Sequence, residues 1–137
     1  MPETLLGFDY GTVRIGVALG QTVTGTAKPL TTLACRNGQP DWTAIGRLIA
    51  EWQPRRLVVG LPLQLDASEQ EMTGRARRFG NQLKGRYNLP VEMVDERLTS
   101  REAEAELAAK GGKFDKAGID ALAAALILQS WLDRHSP

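Results

Sequence analysis

The chain has 137 residues, 42% of them hydrophobic, which fits one globular domain over residues 1–137 with a single core. Its 17 basic and 16 acidic residues nearly cancel, so the net charge of +1 excludes a uniformly basic chain, and any nucleic-acid surface must be local. One cysteine and one histidine exclude an internal disulfide and a Cys/His zinc site, and without a signal-like or membrane-length apolar run we expect a cytoplasmic protein with no membrane partner.

The first third of the chain predicts three antiparallel strands. Two short apolar runs, residues 5–8 and 15–19, flank a turn-like Asp-Tyr-Gly-Thr segment. This pattern is typical of a β-hairpin that presents Asp9 at the end of its first strand. A third strand is expected at residues 30–35, before an Asn-Gly turn.

The rest of the chain predicts helices that alternate with two further strands. A helix is expected between Asp41, its N-cap, and Pro54, and a second one from a capping box at residues 68–71 to about Arg86. Further helices are expected from the capping box at residues 99–102 to Gly111, and from about Asp115 to Arg134. The strands are expected at residues 56–60, ending in a Gly-Leu-Pro turn, and at residues 90–94.

This order of elements predicts an α/β fold. The sheet would be mixed and have five strands, three antiparallel ones followed by two parallel ones, with helices on its faces. Right-handed crossovers would place strand one in the centre, with strand four on one side and strands two and three on the other. The carboxyl ends of strands one, four and five would then share one edge of the sheet, where ligands bind in folds of this class.

Acidic residues are expected to converge at that edge. Asp9 ends strand one, Asp95 and Glu96 follow strand five, and Asp120 lies on the inward-facing stripe of the last helix. Carboxylates close together repel and raise one another's pKa unless divalent cations neutralise them, and oxygen-only ligands select Mg²⁺ or Mn²⁺. Two such ions, about 3.5 to 4 Å apart, can hydrolyse a phosphodiester.

Each acid also has a simpler interpretation. Asp9 could bond to the backbone of its own turn, and Asp120 could complement the N-terminal dipole of the last helix. Asp95 could be either a ligand or a turn residue. No acid is decisive alone, so the prediction depends on their convergence.

Four ordered segments resemble one known family. They are residues 7–19 (GFDYGTVRIGVAL), 58–66 (VVGLPLQLD), 94–104 (VDERLTSREAE) and 119–132 (IDALAAALILQSWL). The likeness is to the YqgF/RuvX proteins, ribonuclease H-like Holliday junction resolvases also linked to maturation of pre-16S ribosomal RNA. It implies a ribonuclease H-like fold in which Asp9, Glu96 and Asp120 are catalytic acids that bind Mg²⁺ or Mn²⁺, with Asp95 as a possible auxiliary acid.

Basic residues near these acids are candidate nucleic-acid contacts. Arg14 follows the hairpin turn and Arg97 adjoins Glu96, so either could hold a phosphate or form a surface ion pair. Lys113 and Lys116 precede the last helix, where relatives in the family are often basic. We interpret the cations of the second helix mainly as a solvated surface, with contact to a nucleic-acid backbone as the alternative: Arg75, Arg77, Arg78, Lys84 and Arg86.

Three functions remain open from the sequence. The first is a metal-dependent endonuclease acting on structured nucleic acid, either in 5′-end processing of pre-16S rRNA or in resolution of branched DNA. The second is a non-catalytic nucleic-acid-binding factor of ribosome assembly. The third, an actin-like ATPase fragment, starts from the Asp-Tyr-Gly-Thr segment, but 137 residues offer no second domain to close over a nucleotide. The chain could act as a monomer or a homodimer, and a symmetric four-way junction would suit a two-fold dimer.

Overall fold

The computed structural model describes residues 2–64, 66, 68–96 and 116–135, and for Lys116 and Ala117 it describes the backbone alone. The helix expected from residue 99 and the candidate contacts Arg97 and Lys113 lie outside the described residues, as does the side chain of Lys116. The strands are β1 (Thr4–Asp9), β2 (Arg14–Gln21), β3 (Thr26–Ala34), β4 (Arg56–Leu61) and β5 (Val91–Asp95), and the helices are α1 (Trp42–Trp52), α2 (Glu71–Tyr87) and α3 (Lys116–His135).

The five strands form one mixed sheet in the order β3-β2-β1-β4-β5. The β1–β2 and β2–β3 pairs are antiparallel, whereas the β1–β4 and β4–β5 pairs are parallel. This topology confirms the predicted sheet and the central position of β1. The crossover through α1 returns the chain beside β1, with β4 parallel to it.

The alternation of side chains along β1 divides the core between the two faces of the sheet. Leu5 packs in a cluster with Leu128 of α3, whereas Phe8 packs with Phe79 of α2 on the opposite face. Gly7 and then Asp9 follow Leu5 on the side of the sheet that faces α3. The carboxyl group of Asp9 therefore faces α3 at the edge where β1 ends.

Two element boundaries differ from the sequence-based prediction. β3 begins at Thr26, earlier than expected, because its first residues pair with the last residues of β2 and the backbone N–H of Ala27 donates to Gln129 of α3. Helix α2 begins at Glu71, so the expected cap at Ser68 is wrong. The hydroxyl of buried Thr73 instead accepts a hydrogen bond from the N–H of Gln70 and donates one to the carbonyl of Pro62.

The expected Gly-Leu-Pro turn is also wrong, because β4 continues through Gly60 to Leu61. Gly60 pairs with Val94 of β5 in a regular parallel register. Gly60 is therefore needed for the room that its missing side chain leaves to the neighbouring acids, and not for a turn.

Among the helices that the structure describes, none is long and apolar enough to cross a membrane.

Candidate active site

The carboxyl groups of Asp9 and Glu96 meet at the carboxyl edge of the parallel strands. Asp9 is the last residue of β1 and Glu96 follows β5, so β4 lies between them in the sheet. A side-chain hydrogen bond nevertheless joins the two groups. Gly60 makes this possible: a Cβ at that position would lie 2.4 Å from Oε1 of Glu96 and 2.5 Å from Cδ1 of Ile127. The Glu96 side chain thus reaches Asp9 across a strand that has no side chain in its way.

Asp120 approaches the same edge from helix α3. A Cβ on Gly16 of β2 would lie 1.9 Å from the carbonyl oxygen of Asp120, so only glycine lets the helix backbone come this close to the sheet. Gly16 pairs directly with Asp9 in the β1–β2 register. Asp120 is therefore positioned beside Asp9 by backbone packing, and its charge contributes to raising the pKa of Asp9.

Arg14 pairs with Asp120. Nε of Arg14 lies 2.6 Å from Oδ2 of Asp120, and both side chains are partly exposed. Such a short charge-assisted hydrogen bond fixes the direction of the carboxylate. Asp120 is the fifth residue of α3, beyond the first turn in which a helix dipole acts, so the dipole interpretation of this residue does not fit.

The electrostatics of the Asp9–Glu96 pair show an excess of negative charge. Burial, followed by the charge of Glu96, raises the pKa of Asp9 from 3.8 to about 8, and Asp120 adds to the shift. Burial also raises the pKa of Glu96, an effect that the hydrogen bond from Asp9 opposes and the charge of Asp95 reinforces. Two carboxyl groups can share a hydrogen bond only when one is protonated, so the Asp9–Glu96 pair holds one proton while this bond is formed. This bond replaces the backbone interaction that a simple turn aspartate would make.

The chemistry of these donors fits a hard divalent cation. All of the converging groups are carboxylate oxygens, the ligands that Mg²⁺ and Mn²⁺ prefer, and a cation would relieve the repulsion that raises their pKa values. In the part of the chain that the structure describes, however, no three acidic, Cys or His side chains are arranged closely enough to hold one ion together.

The other predicted site residues divide into two groups. Asp95 ends β5 opposite Leu61 and acts on Glu96 through its charge, so it belongs to the acid cluster electrostatically. Arg14 is in contact with the cluster through Asp120. The structure does not describe Arg97, Lys113 or the side chain of Lys116.

Two glycines were not recognised as site residues from the sequence. Gly16 lies in an apolar run and Gly60 in a segment that resembled a turn, and both instead provide room for an acid of another element. The usable signal was a glycine inside a strand pattern, which marks a close approach of another group.

Comparison with known proteins identifies the family. A profile of the RuvX family, described as Holliday junction resolvase, matches residues 3–134. The chain belongs to the RuvX family. A relative from Glaesserella parasuis is 51% identical over 99% of this chain and 100% of its own length, and one from Pseudomonas putida is 52% identical over 96% of each. Both are provisionally named as pre-16S rRNA nucleases.

Solved structures support the fold of this RuvX chain. RuvC of T. thermophilus, in complex with a Holliday junction substrate, matches with a TM-score of 0.59 at 16% identity over 98% of both chains. The fowlpox virus Holliday junction resolvase matches with a TM-score of 0.59 at 10% identity over 96% of this chain and 98% of its own. The ribonuclease H-like fold is thereby confirmed. The class of nucleic-acid-hydrolysing enzyme is confirmed by the family match and by the relatives.

Proposed function

We propose that this RuvX chain is a divalent-metal-dependent endonuclease whose metal ligands and catalytic acids are Asp9, Glu96 and Asp120. The observation that carries the proposal is the protonated Asp9–Glu96 pair with Asp120 beside it. Where the three acids meet at one edge, the pKa values of Asp9 and Glu96 are raised, and a purely structural role does not explain this perturbation. Bound Mg²⁺ or Mn²⁺ would activate water and stabilise the leaving oxygen of a phosphodiester.

The residues of the chain divide the work at this site. Asp9 sits on the rigid central strand and gives the site a fixed reference. Glu96 reaches it across Gly60, and Asp95 adds negative charge that strengthens the attraction for a cation. Asp120 is held by Arg14, so it becomes fully available as a ligand when Arg14 changes partner.

Arg14 is suited to bind a phosphate of the substrate. Its side chain is partly exposed at the acid cluster, and a guanidinium pairs with a phosphate through two parallel hydrogen bonds. Arrival of a phosphodiester would draw Arg14 away from Asp120 and leave that carboxylate for the metal. Substrate binding and metal binding would therefore support each other.

We further propose structured RNA at the 5′ end of pre-16S rRNA as the substrate. The support is the name shared by relatives about half identical to this chain over nearly their whole length. Branched DNA is the second candidate, because the family profile is described as a Holliday junction resolvase. Both polymers present the same phosphodiester to the acids.

The direct test is cleavage of both substrates in parallel. Wild-type protein would be incubated with a 16S precursor fragment and with a four-way DNA junction across Mg²⁺ and Mn²⁺ titrations, and Asp9→Asn would serve as the control. We expect metal-dependent cleavage of the precursor by the wild type and none by the variant. Binding of both substrates without cleavage at any metal concentration would overturn the nuclease proposal in favour of a non-catalytic assembly factor.

A further inference from the structure

A polar notch of about 290 Å³ opens at the same edge of the sheet as the acids, but on the face that α1 and α2 cover. It is lined by Tyr10, by the turn at residues 38–40 that follows β3, and by Arg75, Arg78 and Gln82 of α2. Tyr10 directly follows Asp9, and its ring lies 5.0 Å from that of Phe79 on α2. Asp9 faces α3, so the notch and the acid cluster lie on the two sides of one sheet edge.

The helix that forms one wall of the notch holds most of the local positive charge. Between Glu71 and Tyr87 it carries five cationic residues and one acidic residue, in a chain whose net charge is only +1. Arg77 pairs with Glu69 at 3.2 Å and Arg86 lies over the ring of Trp42, and neither of these two cations lines the notch.

The two arginines of the notch are available to a ligand. Among the residues that the structure describes, Arg75 pairs with Glu71 alone, at 2.7 Å, and such exposed surface pairs contribute little. Arg78 has no ion-pair partner among the described residues. Two guanidinium groups one helical turn apart, with the amide groups of Gln39 and Gln82 nearby, form a set of hydrogen-bond donors that suits an anion with several oxygens.

We propose that this notch binds phosphates of the substrate strand where it continues from the acid cluster around the edge of the sheet. This inference rests on the proposed function for the identity of the polymer, and it replaces the interpretation of α2 as a solvated surface. The donors of the notch are guanidinium and amide groups, which suit phosphate oxygens, so the contact is to the backbone and independent of sequence. The notch therefore supplies affinity and direction to the strand, while the acids supply the chemistry.

The test compares variants on one helix. Arg78→Ala and Arg75→Ala remove a cation from the notch, whereas Arg77→Ala removes one from another side of α2; the side chains of Arg75 and Arg77 are 50% and 49% exposed. Binding of a labelled 16S precursor fragment would be measured by fluorescence anisotropy in EDTA, which prevents cleavage, between about 50 and 200 mM salt. Thermal unfolding would confirm that each variant is folded.

We expect Arg78→Ala to weaken binding about threefold to tenfold and to reduce the slope of log K against log salt by about 0.7 to 0.9, the value for one lost phosphate contact. Arg77→Ala should change affinity less than about twofold and leave the slope unchanged. An equal loss of affinity in Arg77→Ala, or an unchanged salt slope in Arg78→Ala, would overturn the proposal that the notch binds phosphates. Cleavage by the wild type is measured separately. If the wild type cleaves but Arg78→Ala has no effect on binding, only the phosphate contact at the notch is rejected. If binding depends on Arg78 but no cleavage occurs, only the nuclease proposal is rejected.

Discussion

Asp9 illustrates how a single residue acquires its function from its surroundings. Taken alone, an aspartate before a turn is most simply a backbone-bonding residue. In the structure its carboxyl group is instead half-buried, bonded to Glu96 and near Asp120, and its pKa is raised to about 8. None of these neighbours is close in sequence, so the perturbation could be expected only after the topology had been inferred.

The raised pKa of Asp9 makes a prediction about stability. A carboxyl group whose pKa is higher in the folded state favours folding while it is protonated, and this contribution is lost as the pH rises from about 4 to about 8. Without divalent cations, the melting temperature of the wild type should therefore fall across this range relative to Asp9→Asn, which keeps a neutral side chain throughout. Thermal unfolding of both proteins at a series of pH values measures the difference. Parallel curves would show that Asp9 is not perturbed by its neighbours.

The Arg14–Asp120 pair makes a second prediction at this scale. Because Arg14 competes with a metal for Asp120, Arg14→Ala should tighten binding of Mn²⁺ to the free protein by up to about fivefold, which corresponds to an ion pair of about 1 kcal/mol. The same variant should lose nucleic-acid affinity and cleavage. Isothermal titration with Mn²⁺ alone, with Arg14→Lys as the charge-conserving control, gives the first readout. Weaker Mn²⁺ binding by Arg14→Ala would contradict the competition.

At the scale of elements, glycines inside strands decide how closely the acids approach. The backbone of α3 rests on Gly16, and the side chain of Glu96 crosses Gly60. The consequences of adding a methyl group differ, because a helix backbone cannot move aside, whereas a flexible carboxylate can. The strand that gives room to each acid therefore also limits how closely that acid can approach.

Alanine substitutions should separate these two cases. Gly16→Ala should destabilise the fold by about 1 to 3 kcal/mol or more, since its Cβ would meet the Asp120 backbone. Gly60→Ala should cost less stability yet abolish cleavage, because Glu96 and Ile127 must shift. Gly74→Ala is the matched control: its Cβ would meet nothing within 4 Å, and alanine in α2 should stabilise by about 0.5 to 1 kcal/mol. Urea denaturation and cleavage assays measure both effects, and equal losses at positions 16 and 60 would refute the distinction.

At the scale of the whole molecule, one edge of the sheet collects the functional groups. The crossovers through α1 and α2 bring the carboxyl ends of β1, β4 and β5 to that edge, and α3 closes it from one face. Negative charge accumulates on the α3 side and positive charge on the α2 side. A single phosphodiester strand that crosses the edge meets both, which matches the needs of metal-dependent hydrolysis. That residues 1–137 form one domain, and that the chain works as a monomer or a homodimer, stay predictions.

Metal binding should therefore change the stability of the whole fold. A ligand that binds only the folded state stabilises it by about 2.7 kcal/mol when its concentration is one hundred times Kd. We expect Mg²⁺ or Mn²⁺ at pH 8 to raise the melting temperature of the wild type by several degrees and to leave Asp9→Asn nearly unchanged. Differential scanning fluorimetry with Ca²⁺ and high NaCl as ionic controls measures this. An equal shift in both proteins would show that the cations act elsewhere.

The sequence alone determined the fold class and the strand order, because apolar periodicity, capping residues and crossover handedness are local or nearly local signals, whereas the catalytic role of the three acids stays a prediction. It placed Asp9, Glu96 and Asp120 on elements that end at one edge, and the structure brings them there. Only the tertiary structure decided what touches what: Glu96 bonded to Asp9 across Gly60, Asp120 held by Arg14, and helix α3 seated on Gly16. The structure also places the start of α2 at Glu71, where Thr73 bonds to Pro62 at the end of β4. Such contacts join residues far apart in sequence and depend on packing distances of a few ångströms, which a pattern of residue types does not specify.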